Sequence, residues 1–258
     1  MDRFAGRVIL VTGAGRGLGR EICLAVGREG AIVVPTSRSA ASADLVAREI
    51  REAGGTAHPF GLDVADSGSV RDAMRTILAE LGRVDVLVNN AAHFGPIEWI
   101  ADFPVEAWDD VFAVNTRGAF LTSQALLPSM VANGRGKIVN VGAGVLDRVD
   151  LGCAAYCASK AALIVFTKML AAEYRDAGII THIIDPGGLD TGMSEAIVAA
   201  EEARPAVAAS QWVEPERRLR HPADIMPMIL FALSDAADMM TGHLFQVSSR
   251  GNPLYLHL

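Results

Sequence analysis

The densest chemistry in this 258-residue chain lies in Tyr156-Cys157-Ala158-Ser159-Lys160. A phenol and an ammonium four residues apart share one face of a helix. An ammonium buried beside a tyrosine favours the phenolate and lowers the phenol's pKa, so that it can give or take a proton near neutrality. Tyr-x-x-x-Lys also arises as an incidental helical pair, so it gains meaning only in company. Asn115, in Val114-Asn115-Thr116-Arg117-Gly118, is an amide inside an apolar helical pattern. Once buried, it requires hydrogen-bond partners.

A second constellation is Thr12-Gly13-Ala14-Gly15-Arg16-Gly17-Leu18-Gly19, placed between an apolar run and a helical pattern. Gly13, Gly17 and Gly19 permit a tight turn, close approach of backbone to a pyrophosphate, and close packing of helix on strand. The helix amino terminus then offers N–H donors and a favourable dipole. A strand before and a helix after is the context a dinucleotide site requires. About 20 residues further on, an acid would hold the adenosine ribose hydroxyls. The chain instead reads Pro35-Thr36-Ser37-Arg38-Ser39. Ser37 can donate to a 2′-phosphate oxygen, Arg38 can pair with it and stack on adenine, and Arg16 adds charge inside the turn. The expected cofactor is therefore NADP (NADPH), with NAD less favoured.

These groups must be carried by strands and helices. Strand candidates are residues 8–11, 31–35, 57–63, 84–89, 137–141, 179–185 and 243–247, most of them apolar at nearly every position. Continuous rather than alternating apolar character suits parallel strands covered on both faces. Helical patterns fall at 17–29, 40–53, 67–81, 104–132, 154–177 and 222–234. The alternation predicts an α/β fold, a doubly wound seven-stranded parallel sheet flanked by helices on both faces, with ligands at the carboxyl ends of the strands. No repeat, linker or composition break divides the chain, so residues 1–258 read as one domain. Residues 191–220 interrupt the alternation where a strand ends, and are read either as a surface helix pair or as a substrate lid.

Composition bounds the partners. With 51% hydrophobic residues there is ample material for a core, and a net charge of −7 argues against a nucleic-acid binder. Cys23, Cys153 and Cys157 are too few and too oddly spaced for a disulfide framework, and no metal site is expected. No window reaches about 18 unbroken apolar residues, and Met1-Asp2-Arg3-Phe4 lacks a signal peptide's apolar core. The expectation is a cytoplasmic protein without a membrane span.

Taken together in this order, Thr12 to Gly19, Asp63-Val64, Asn89-Asn90-Ala91, Asn115, Tyr156/Lys160 and Pro186-Gly187-Gly188-Leu189-Asp190-Thr191 resemble the short-chain dehydrogenase/reductase family over about residues 4–251. The resemblance implies a single Rossmann-type domain and an NADP(H)-dependent oxidoreductase interconverting an alcohol and a ketone or aldehyde. It implies that Asp63 and Val64 flank the adenine and that Asn90 and Ala91 line the ribose. Pro186, Gly187, Leu189 and Thr191 would lie at the nicotinamide, with Leu189 and Thr191 holding its carboxamide. Tyr156 would be the general acid/base. Lys160 would lower its pKa and bind the nicotinamide ribose, and Asn115 would anchor a proton relay through water.

The family places a serine thirteen residues before the tyrosine, and here that position is Ala143. Losing one donor to a developing oxyanion costs about 10²–10³ in rate. Three accounts stand side by side. The alanine was introduced in place of a serine; the substrate, His93, Asp147 or Arg148 supplies the donor; or the chain is a non-catalytic, NADP-binding regulatory or structural relative. Expected substrate contacts are Ala143, His93, Leu146, Arg148, Gly188, Met193 and Trp212, with Phe94 and Leu151 as further wall positions. Two further departures are Ala92 after the Asn-Asn-Ala run and Ser248-Ser249-Arg250-Gly251 after the last strand. The helix segment 161–166 is apolar all round, more than one sheet face needs, which predicts a homodimer or homotetramer.

Overall fold

Strand β1 (Val8–Val11) is buried along its whole length. In the computed structural model, which describes residues 2–145, 151–195 and 219–247, its side chains serve two cores. Ile9 and Val11 pack with Ile22, Val26 and Ile229 on one side. Val8 and Leu10 pack with Met74, Ile77 and Leu126 on the other. That division is what a run without polar alternation requires of a central strand.

The remaining strands are β2 (Ile32–Ser37), β3 (Thr56–Ala57), β4 (Phe60–Gly61), β5 (Val86–Asn89), β6 (Gly136–Val141), β7 (Ile179–Asp185) and β8 (His243–Gln246). They form one parallel sheet in the order β3-β2-β1-β5-β6-β7-β8, with β4 also paired to β2. The strand expected over 57–63 is therefore present in two pieces, both on β2. The break falls at His58-Pro59, where proline has no N–H to give the ladder. The chain moves outward from β1 through β2 and then returns to β5 on the other side of β1. This reversal opens the crevice in which open α/β sheets bind ligands.

Helices α1 (Gly17–Arg28), α2 (Ala40–Glu52) and α3 (Ser67–Leu81) follow the first strands. Asp66 caps α3 through bonds from the N–H groups of Gly68 and Ser69, at 2.7 and 3.3 Å. The helix expected over 104–132 is α4 (Val105–Phe112), a π-helical turn (Ala113–Arg117) and α5 (Gly118–Ala132). Gly118 lets α5 start hard against Val64, whose Cγ2 would lie 2.9 Å from any Cβ placed there. Helix α6 (Ala154–Tyr174) packs on β7, and α7 (Met226–Leu233) joins the core around α1. The helical stretch Ala154–Ala177 is long and apolar enough to cross a membrane by length and composition alone, and half of its most apolar window is buried inside the domain.

At the amino end of the sheet, Lys137 on β6 is 4% exposed. Its Nζ lies 2.7 Å from Asp238 Oδ1 and also donates to the Ser234 carbonyl. Burial outweighs Asp238 and holds this amine below the usual lysine range. Asp235 nearby pairs with Arg7 and Arg135, at 2.5 and 3.3 Å. His182 on β7 is fully buried, and neither ring nitrogen has a hydrogen-bond partner among the described residues. The backbone at Ala237 and Met240 favours the charged ring. It offsets desolvation only in part, and the imidazole is pushed down to about 4.

Candidate active site

At the carboxyl end of the sheet, the loops after β1 and β5 form one unit. Thr12 Oγ1 accepts from the N–H groups of Asn90 (3.0 Å) and Ala91 (3.1 Å). Asn90 Nδ2 donates back to the carbonyls of Thr12 (2.9 Å) and Gly13 (3.2 Å). Two glycines make this closeness possible. Gly13 has φ +65°, and a Cβ on it would lie 2.8 Å from Ala91 Cα. A Cβ on Gly19 would lie 2.5 Å from both Asn90 Nδ2 and the Gly13 carbonyl.

Helix α1 starts here without a side-chain cap, since Arg16 holds the N-cap position in an extended conformation. Its first N–H groups are of the kind that receive an anion. Gly15 lies against Ser37, whose Oγ would be 3.1 Å from a Cβ there. Arg16 and Arg38 are exposed, and among the described residues neither forms an ion pair. Arg20, one turn on, is by contrast held by Glu21 and Glu49. Leu18 is buried beneath the turn. Thr191 approaches from above, with its methyl 3.6 Å from a Cβ built on Gly17. Beyond β4, Asp63 Oδ1 accepts from the Ala65 N–H (3.0 Å), and Val64 is buried against Gly118. The residues present fit a dinucleotide phosphate cradle: a close-packed glycine turn, an uncapped helix start and two uncommitted guanidiniums.

Tyr156 and Lys160 occupy the first turns of α6. Lys160 is 1% exposed, and its Nζ donates to the Val141 carbonyl (2.7 Å), 5.8 Å from the Tyr156 ring centroid. Among the described residues no carboxylate pairs with it, and burial lowers its pKa to about 8. Tyr156 is buried, its ring 4.7 Å from that of Phe94. Asn115 lies in the π-helical turn and clamps the loop after β5. Its Oδ1 accepts from the His93 N–H (2.7 Å), and its Nδ2 donates to the His93 carbonyl and to Ser159 Oγ, both at 2.9 Å. Ser159 Oγ in turn donates to the Tyr156 carbonyl (2.8 Å), and Thr116 Oγ1 donates to the Ser159 carbonyl (3.0 Å). The widened turn thus carries two side chains that stitch α5 to the tyrosine's own turn. Single π turns inside helices often mark functional sites.

On the substrate side, Ala143 packs in a small cluster with Phe94, Ile97, Cys153 and Tyr156, joined by Val145, Cys157 and Met193. Among these described side chains, the only polar hydrogens are the phenol and two thiols, and the Cys153 thiol is directed at the Leu151 carbonyl (3.5 Å). His93 is held through its main chain while its side chain is exposed. Gly188 accepts from the Arg220 N–H (3.2 Å) and Asp190 donates to the Arg220 carbonyl (2.9 Å), so Leu189 and Arg220 form a short parallel bridge. Pro186 is buried, and the Gly187 N–H donates to Asp185 Oδ1. The expected contacts Leu146, Arg148 and Trp212, the candidate donor Asp147, and residues 196–218 of the expected lid lie outside the described residues. So does Ser248-Ser249-Arg250-Gly251.

Sequence patterns missed Thr12, Thr116 and Ser159 as members of this network. Each is a hydroxyl inside an otherwise apolar or glycine-rich run, and such a group needs a partner once buried. Ile97, Cys153 and Cys157 were missed as wall residues, because apolar and thiol side chains carry no pattern that separates a site wall from packing.

The family model described as "short chain dehydrogenase" matches residues 7–202. The chain is 35% identical to 2-(S)-hydroxypropyl-CoM dehydrogenase 3 of Xanthobacter autotrophicus, covering 95% of this chain and 96% of the relative. It is 34% identical to cyclopentanol dehydrogenase of Comamonas sp., covering 94% and 95%, and 32% identical to the 3-oxoacyl-acyl-carrier-protein reductase FabG of Escherichia coli, covering 95% and 97%. Among solved structures, NAD+-bound xylitol dehydrogenase superposes with a TM-score of 0.89 at 28% identity, covering 96% of this chain and 99% of that one. A short chain dehydrogenase of Shigella flexneri complexed with NADP gives 0.82 at 31% identity, covering 95% and 98%. The chain is an enzyme of the short chain dehydrogenase family, an oxidoreductase built on a Rossmann-like α/β domain.

Proposed function

We propose that the enzyme interconverts a small-molecule alcohol and its ketone or aldehyde with NADP(H), Tyr156 passing the proton. One observation carries this reading: a buried tyrosine whose neighbouring buried ammonium has no carboxylate partner among the described residues. An ammonium so placed is left to stabilise a phenolate. In the reducing direction the substrate oxygen takes the Tyr156 hydroxyl proton, and the charge left on Tyr156 is offset by Lys160. Asn115 holds the loop at His93 and, through Ser159, the turn that carries Tyr156. When bound, the dinucleotide supplies the hydride that the carbonyl carbon receives. Gly13, Gly17, Leu18, Gly19, Asn90 and Ala91 would hold its pyrophosphate and ribose; Asp63 and Val64 its adenine; Pro186, Gly187, Leu189 and Thr191 its nicotinamide end.

The NADP preference is supported by the missing acid after β2 and by the uncommitted Arg16 and Arg38 beside Ser37. Relatives of known structure bind NAD+ in one case and NADP in another. Compare NADPH and NADH affinity before and after Arg38→Ala: a selective loss for NADPH is expected, and equal losses would sink the assignment. For the chemistry, NADPH oxidation is followed with a panel of ketones and aldehydes in the native chain and in Ala143→Ser. Turnover rising about 10²-fold in the serine variant is expected. No turnover in either form, with cofactor binding intact, refutes the oxidoreductase reading.

A second reading, a non-catalytic dinucleotide-binding protein, is favoured by Ala143 alone, which leaves no hydroxyl where the family has one. Tyr156→Phe separates the two, since a purely regulatory role survives it. Assembly as a homodimer or homotetramer is supported by the exposed Phe120, Val165 and Met169, beside a groove of about 470 Å³ lined by Phe112, Phe120 and Phe166. Light scattering of Phe120→Asp should show a smaller species. None of the three cysteines is joined in a disulfide, which suits a reducing cytoplasm.

A further inference from the structure

Asp185, the last residue of β7, is a carboxylate only 4% exposed. Burying a carboxylate is costly unless its oxygens are well placed. Its side chain lies on the catalytic face of the sheet. Along β7 the preceding Ile184 faces the core around α1 and α7, whereas Ile183 faces Leu163 and Ile164 of α6. Alternation therefore turns Asp185 toward α6, whose first turn carries Tyr156. Oδ1 accepts the Gly187 N–H at 2.9 Å, and so fixes the start of the 186–191 loop. Oδ2 lies against Gly144, close enough that a Cβ there would sit 2.7 Å from it. Gly144 follows Ala143, which packs on Tyr156. Beside this contact the Gly142 N–H donates to the Ile184 carbonyl (2.7 Å).

We infer that Asp185 is a positioning residue: its carboxylate sets the loop after β7 against the 142–144 loop, holding the nicotinamide side and the Ala143 side of the site in register. This rests on the oxidoreductase reading above, and deepens it by assigning a residue outside the motif set. Because the serine hydroxyl is absent, the placement of the substrate against Tyr156 depends more heavily on where the Ala143 backbone is held.

The test uses Asp185→Asn, Asp185→Ala, Gly144→Ala and the double variant Gly144→Ala/Asp185→Ala. Measured are kcat and KM, and the affinities of NADPH and of 2′-phospho-ADP-ribose, which lacks the nicotinamide. Asp185→Ala should lower kcat on the order of tenfold to hundredfold, the scale of a misplaced reactive group, with little change in KM. It should weaken NADPH several-fold and leave the fragment unchanged. Asp185→Asn, which still offers Gly187 an acceptor, should recover most of the loss. Gly144→Ala should show the same selective defect, and the double variant should relieve it. Wild-type kcat and NADPH affinity in Asp185→Ala, equal losses for both nucleotides, or no relief in the double variant would each overturn the inference. If Asp185→Ala does not fold, Gly144→Ala decides: NADPH affinity and kcat unchanged there overturn it. If the native chain turns nothing over, the oxidoreductase reading falls, while the nucleotide pair still decides Asp185.

Discussion

A buried lysine sits at each end of strand β6, Lys137 on the strand itself and Lys160 reaching its last carbonyl from α6, and the two are held differently. At the amino end, Lys137 meets a carboxylate (Asp238) and a carbonyl (Ser234), within a cluster that also holds Asp235, Arg7 and Arg135. At the carboxyl end, Lys160 meets, among the described residues, the Val141 carbonyl and a tyrosine ring. Both amines are depressed by burial. Among the described residues only the first has its charge matched by a carboxylate. A matched buried charge serves the fold, whereas an unmatched one is tolerated where something else is to be bound or ionised beside it.

The largest separation is expected from methionine at each position. Lys160→Met should lower turnover at least about 10²-fold, within the range of positioned acid–base groups. Its melting temperature should hold or rise, because a buried amine without a counter-charge is removed. Lys137→Met should keep native kcat in the folded enzyme and lose about 1–3 kcal/mol of unfolding free energy, through the orphaned Ser234 carbonyl and Asp238. Kinetics and denaturant melts on both variants check this. Native turnover in Lys160→Met would erase the contrast.

Next in size are the pH effects. Between about 8 and the ordinary 10.5, the unfolded chain holds a proton on Lys160 that the folded cofactor-free chain has released. Stability therefore rises with pH across that window. The difference between native chain and Lys160→Met isolates this from Lys137, which is depressed in the same direction. For His182 the window is about 4 to 6.5: the unfolded chain is protonated there and the folded one is not, so stability is full above 6.5 and falls as pH drops toward 4. His182→Phe should flatten that acid slope in pH-dependent melts. The smallest effect belongs to Arg135→Ala, whose pairing with Asp235 is 54% and 60% exposed on its two sides. It should change stability by less than about 1 kcal/mol, screened further by salt.

The fold was legible because its strands are apolar on both faces and its cofactor turn is written in glycines, two signals that survive without knowledge of partners. What the pattern concealed was local. Residues 113–117 have ordinary helical composition, so the π turn left no trace beyond the one amide, Asn115, that had to find partners. Pro59 marked the interrupted edge strand, although the apolar run across 57–63 concealed the break. Tyr156 and Lys160 were readable by spacing, yet Ser159 and Thr116, which hold them, bond through main chain and so through geometry that no spacing rule encodes. Asp185 was hidden for a related reason: it touches two glycines, Gly187 two residues on and Gly144 far back in the sequence, and neither contact leaves a pattern.

The bridge between Leu189 and Arg220 has a consequence for how such an enzyme changes over generations. It fastens both ends of the intervening stretch to the same point at the edge of the site. The sheet then does not register how long that stretch is, since doubling a loop costs only about 0.6 kcal/mol in closure entropy. Insertion, deletion or wholesale grafting between Met193 and the Arg220 anchor can be explored while the glycine turn and the Tyr156/Lys160 pair keep their own contacts. Under the proposed function, substrate range and chemical competence are, in that sense, inherited separately.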